Sequence, residues 1–236
     1  MVEVTARSLA EHFSEGGRLN YEGSGHVAPI VFVLDERGYG FGLMPNEDGH
    51  PPDLFGRLVG FASIAIETRF VCAVTEAWIK EFPQADAPEN IRRGHLERLH
   101  QQGDPTVKTT VMSLCIDILL SKPDKPWGAM LGVVEEGKRA DGSIEWKVME
   151  PMVGEQYGYL PDVLLEAPAR AAALVREGYA VDRLMGPLGA DPMDTIRKLI
   201  SPEFWAEQLV KMGVASAVLL ILPGMPIPIW TNEEMS

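Results

Sequence analysis

The stretch from His26 to Phe82 limits the fold more than any other part of the chain. Val27 to Leu34, in GHVAPIVFVL, is almost continuously apolar and β-branched, the pattern of a strand buried on both faces. Pro29 near its start places the first residues at an edge or outside the ladder. Asp35-Glu36-Arg37-Gly38 is turn chemistry, so Tyr39 to Met44 is expected to return antiparallel as a hairpin. Asp53 is suited to cap a helix from Leu54 to about Glu67, whose apolar residues follow helical spacing. Phe70 to Trp78 reads as a third strand. Strand, turn, strand, core helix and strand together predict the centre of a single sheet.

The remaining segments add to that centre. Thr5 to Ser14 suggests a first helix with Thr5 as N-cap and Gly16-Gly17 as its stop. Thr109 to Leu120 reads as a fourth strand, interrupted by Asp117. Trp127 to Val134 and Ile144 to Met149 flank an Asp-Gly turn and predict a hairpin. Beyond Pro151 helix signals take over. Asp162 to Glu177 is rich in alanine and leucine, with Pro168 expected to kink or split it. Asp191-Pro192 and Ser201-Pro202 have the form of two further helix starts. Val214 to Leu222 suits either a last strand or a helix continuation, and the tail PGMPIPIWTNEEMS cannot be helical. The fold expected is α+β: a mostly antiparallel sheet of about six strands covered by helices over residues 1–150. A helical C-terminal region with an apolar proline-rich tail, residues 151–236, is expected to pack on that core.

Charge narrows the partners. A net charge of -13 opposes association with phosphate backbones, so no nucleic acid is expected. The apolar run at Val214 to Leu222 is too short to cross a bilayer, so no membrane span is expected. Cys72 and Cys115 both lie in apolar strand-like runs. They are either a disulfide or reactive pair, or two buried free thiols in a reducing compartment, and their apolar setting favours the second. The N-terminus lacks a basic start followed by an apolar core, and a cytoplasmic location is expected.

Catalytic signatures are sparse. His95 and His100 are five apart, not the spacing that brings two ligands to one metal on a helix, and there is no Cys-x-x-Cys; no metal and no cofactor are expected. No Gly-x-Ser-x-Gly elbow, phosphate loop or dinucleotide fingerprint occurs. Ser24 lies near His26, but adjacency in sequence does not place an imidazole on a hydroxyl. Carboxylates in apolar strands are the strongest acid–base candidates, because such a group is costly unless paired or functional. These are Glu76 in VTEAW and Asp117 in LCIDILL, with His26 as the candidate histidine. The alternative is that each hydrogen-bonds to neighbouring backbone or an arginine. Gly38, Gly40 and Gly42 share one strand face, a surface for a ligand or for a packed helix. Trp78 ends the third strand. Met225, Ile227, Ile229 and Trp230 form a proline-stiffened apolar segment suited to docking on a partner, a second copy or its own domain.

Thr75-Glu76-Ala77-Trp78, Pro83, Asp86, Pro88, Arg92 and the strand from Thr109 resemble a group of uncharacterised bacterial and phage-type proteins. The resemblance covers roughly a third of the chain, and the longer Ile91 to Pro105 segment and everything after Pro151 depart from it. It implies an αβ sheet core and a mobile-element setting, and carries no activity. Two functions are therefore expected in order. The first is a non-enzymatic cytoplasmic interaction or assembly protein whose partner is another protein or a second copy of itself. The second is a small hydrolase using Glu76, Asp117 and a histidine in one cleft.

Overall fold

The computed structural model describes residues 4–45, 56, 59–60, 62–63, 66–80, 98–99, 101–157, 159–176 and 215–221. The strands are β1 (Ile30–Leu34), β2 (Gly40–Pro45), β3 (Phe70–Lys80), β4 (Val107–Asp117), β5 (Trp127–Lys138), β6 (Ile144–Val148), β7 (Met152–Glu155) and β8 (Ala215–Ile221). Among the described residues they form one eight-stranded sheet in the order β6-β5-β4-β3-β1-β2-β8, with β7 paired to a different stretch of β5 from the one that β6 pairs with. Every pairing is antiparallel. Among the described residues two long helices accompany the sheet, α1 (Ala6–Ser24) and α2 (Tyr159–Arg176).

The doubly apolar sequence of β1 has a direct structural cause. All five of its residues are buried, because β1 lies inside the sheet and both faces are covered. On one face Phe32, Leu34, Phe70, Cys72, Val74, Val111 and Cys115 pack with Ala6, Ala10 and Phe13 of α1. On the other, Val31, Val33, Phe41, Val71, Leu114 and Ile116 pack with Val59, Ala62 and with Leu164 and Ala167 of α2. Strands from beyond residue 150 complete the same sheet, with β7 beside β5 and β8 along the outer edge of β2.

Four expectations are corrected. α1 begins at its expected cap, where the Thr5 and Ser8 side chains and backbones satisfy each other in a capping box. It then runs through Gly16-Gly17 instead of stopping, and ends at Gly25, whose φ of 74° supplies the left-handed turn. The reason is packing: a side chain at Gly17 would lie 2.6 Å from Val111 Cγ1 and 3.0 Å from Val74 Cγ1. The roughly 1 kcal/mol that glycine costs a helix is thus set against close approach of α1 to the sheet. Second, the strand count exceeds six: β7 was not foreseen, and 215–221 is a strand. Third, of the two outcomes expected at Pro168 the split does not occur: α2 is one helix with Pro168 inside it. Fourth, Cys72 and Cys115 are directly opposed across β3 and β4 with Cα atoms 4.0 Å apart, and they are joined as a disulfide. The helices expected from Asp191 and Ser201, and most of that expected from Leu54, lie outside the described residues.

Candidate functional site

Asp117 closes one end of the β3–β4 ladder, whereas Glu76 lies near its middle, beside the C-terminal end of α1. Glu76 pairs in register with Val111, whereas Asp117 pairs with Phe70, six residues away along β3. At about 3.3 Å per residue that is roughly 20 Å, so the two carboxylates do not share a cleft.

The Glu76 site lies just past the C-terminus of α1. Once the helix stops at Gly25, His26 turns towards the sheet, and its Nδ1 lies 3.1 Å from Glu76 Oε2. The Val27 N–H reaches the same oxygen at 3.4 Å. The carboxylate is mostly enclosed, at 18% side-chain exposure, while the imidazole is open at 58%. A carboxylate on Nδ1 orients the ring while more than half of the imidazole stays open to solvent, an arrangement of the kind used in proton transfer. The hydroxyl beside it is otherwise engaged. Ser24 Oγ lies 2.8 Å from the Asn20 carbonyl and 2.7 Å from that of His26, and makes no bond to the imidazole ring.

Aromatic and acidic side chains extend this site across the sheet. The Tyr21 hydroxyl donates to Glu135 Oε2 at 3.4 Å, and its ring meets Trp146 edge-on at 5.5 Å. Trp146 Nε1–H donates to Glu22 Oε1 at 2.8 Å, and Arg18 bridges Glu22 and Glu15, each at 2.6 Å. Burial pushes the Tyr21 hydroxyl above its ordinary pKa; a hydrogen bond with Thr109 opposes this, and the charges of Glu135 and Glu76 add to it. Trp78 is half-buried on β3, opposite Thr109.

The Asp117 end is closed. Its side chain is 2% exposed, and Oδ1 accepts the backbone N–H groups of Leu119 (3.0 Å) and Leu120 (3.3 Å). Oδ2 lies 3.4 Å from Arg69, whose guanidinium sits over the Phe70 ring at 4.8 Å. These bonds form the turn that follows β4. A mixed-charge cleft of about 690 Å³ opens nearby between Arg69, Glu67, Asp35 and Arg37, but Arg37 is already held by Asp35 at 2.8 Å.

The glycine face is covered. Gly38 and Gly42 are buried, Gly38 takes a φ of 84°, and the Val4 side chain beside α1 reaches the position its Cβ would occupy, at 3.7 Å. A Cβ on Gly40 would strike the Val33 carbonyl oxygen. Met225, Ile227, Ile229 and Trp230 lie outside the described residues, as do His50, His95 and His100. Among the described residues no group of three His, Cys, Asp or Glu side chains is placed to hold a metal ion, and no helix is long and apolar enough to cross a membrane.

The feature that sequence reasoning missed is the outer edge of β7. Met152, Val153 and Tyr157 are 53%, 47% and 83% exposed, and Val148 and Met149 just before them are also exposed. Behind β7 lies an apolar groove of about 570 Å³, walled by Met112, Met130, Met152, Leu114 and Leu160. Gln156 pins the strand: it is buried, and its Nε2 lies 3.3 Å from the carbonyls of Gly128, Met152 and Gly154. The available signal was the short apolar run Met152-Val153 after Pro151, too brief to stand out against the helical texture that follows. No family model, curated protein or solved structure matches the chain.

Proposed function

We propose that the protein is a non-enzymatic interaction protein that pairs through the outer edge of β7, its first partner being a second copy of itself. The observation that carries this reading is the exposure of Met152 and Val153 on β7 and of Tyr157 just after it, backed by a methionine-walled groove. An open strand edge offers main-chain donors and acceptors to another strand, and methionine side chains adapt to what packs on them. An antiparallel edge also suits two-fold pairing, in which each copy presents the same surface. The net charge of -13 per chain opposes that pairing, so salt should strengthen it by screening. The same acidity argues against nucleic acid as the partner.

A cytoplasmic setting is part of this reading, and the Cys72–Cys115 bond weighs against it, because thiols in reducing compartments stay reduced. A phage or mobile-element setting rests on the sequence resemblance alone.

The test is sedimentation of the full chain and of Met152→Lys/Val153→Lys. The expected result is a dimer that tightens from low to moderate salt and becomes monomeric in the double variant. A wild-type monomer at high concentration, or a dimer indifferent to both lysines, rejects self-pairing at this edge. A second reading, hydrolysis, is favoured by the His26–Glu76 contact at 3.1 Å. It now proceeds without Asp117, and a hydrolytic activity lost in Glu76→Gln would support it.

A further inference from the structure

We infer that α1 is the gate to the Cys72–Cys115 disulfide: the bond is made or broken only when this helix lifts from the sheet. Both cysteines are 0% exposed and lie mid-strand on the face that α1 covers. Phe13 of α1 stacks on Phe32 at 3.9 Å, and Phe32 is the register partner of Cys72. Two residues before Cys115 and on its face, Ser113 Oγ–H donates to the Ala10 carbonyl oxygen at 2.7 Å. With Gly17 set against Val74 and Val111, these contacts hold the helix against the sheet face that carries both cysteines.

Thiol–disulfide exchange requires a thiolate to reach a disulfide sulfur. With dithiothreitol, one thiolate attacks a cysteine sulfur, forming a mixed disulfide and releasing the other cysteine as a thiolate. The second thiol of the reagent then closes its own ring, and both cysteines end as protonated thiols. The reagent supplies the two electrons and is oxidised. The α1 face blocks the first attack, and the sheet blocks approach from the other side.

α1 is also the element best placed to open alone. It takes part in no strand pairing, so lifting it leaves every β-ladder and the opposite apolar cluster in place. Local opening of such a unit requires less free energy than global unfolding. In the presence of a dithiol reductant, loss of the disulfide therefore records that α1 has left the sheet.

The experiment follows reduction of the oxidised full chain by dithiothreitol under native conditions, with alkylation and mass measurement at each time. Phe13→Ala is expected to speed reduction by about tenfold or more, because it loosens only the α1 face. Leu164→Ala, buried on the opposite face, is expected to change the rate by no more than about twofold. Equal acceleration by both variants would show that access comes through global unfolding and would overturn the gate. Wild-type reduction as fast as that of an exposed disulfide would overturn it as well. If the alanine variants fail to fold, Phe13→Leu and Leu164→Val carry the same comparison. For protein isolated as the dithiol, alkylation by N-ethylmaleimide should follow the same order, and the reverse order rejects the gate.

Discussion

Glu76 and Asp117 are carboxylates on the same pair of strands, each set in an apolar sequence, and the fold treats them in opposite ways. Asp117 lies where β4 ends and the chain must turn, so its oxygens are taken up by the Leu119 and Leu120 N–H groups and by Arg69. Glu76 lies where α1 ends and the sheet continues beyond its cover, so its oxygen meets an exposed imidazole and one long backbone contact. The same residue type becomes a structural fastening where β4 ends and the partner of an exposed imidazole in mid-ladder. What decides between them is whether a helix or turn closes over the carboxylate.

The largest expected effect comes from opening the closed end. Asp117→Ala removes the acceptor for two backbone N–H groups and leaves Arg69 without its carboxylate. Loss of such a buried, charge-assisted set costs roughly 3 kcal/mol, tempered here because Arg69 is partly exposed and can rehydrate. Asp117→Asn keeps one oxygen as an acceptor and should lose about half as much. Urea unfolding of both variants measures this. A loss within about 0.5 kcal/mol for the alanine variant, the range of ordinary surface changes, would erase the contrast between the two carboxylates.

How much of this was legible in the sequence follows the same division between local and distant causes. β1, the β1–β2 turn and the β5–β6 hairpin are written in neighbouring residues, as apolar runs and turn chemistry, and the fold has them. The N-cap of α1 at Thr5 is equally local. The true end of α1 was not legible, because Gly17 matters through Val74 and Val111, which are distant in sequence. Nor was the disulfide, whose cysteines are separated by 43 residues and meet only through the β3–β4 register. At the candidate site, Glu76 and His26 were singled out by residue type, yet their contact spans 50 residues and depends on where α1 stops. Asp117 was singled out on the same grounds, and nothing local distinguished its turn from a catalytic setting. β7 is four residues long and is stabilised by β5 and Gln156, neither of which its own sequence announces.

A smaller effect is expected at the open site. Glu76→Gln removes the charge but keeps an oxygen for the Val27 N–H and for a proton on His26 Nδ1. Because His26 is largely solvated, stability should change by less than about 1 kcal/mol. A loss of about 2 kcal/mol or more would mean that the pair is a structural fastening like Asp117, and the accessible reading of this site would fail.

The smallest effect is also the most specific to the open site, because it depends on pH. Burial, with the charges of Glu135 and Glu76, raises the Tyr21 hydroxyl above its ordinary pKa of 10.0 in the folded chain. The unfolded state therefore loses this proton first as pH rises. The contribution from Tyr21 is intact below pH 10.0 and is lost as pH climbs through the raised folded value. Other tyrosines and lysines titrate in the same window, so the comparison must be with Tyr21→Phe, which cannot ionise. The stability difference between wild type and Tyr21→Phe should be flat from neutral pH to about 9 and then move against the wild type. A difference that stays flat to the highest pH at which both remain folded would mean that Tyr21 is as well solvated as in the unfolded chain. The aromatic and acidic residues around the last turn of α1 would then form no enclosed site.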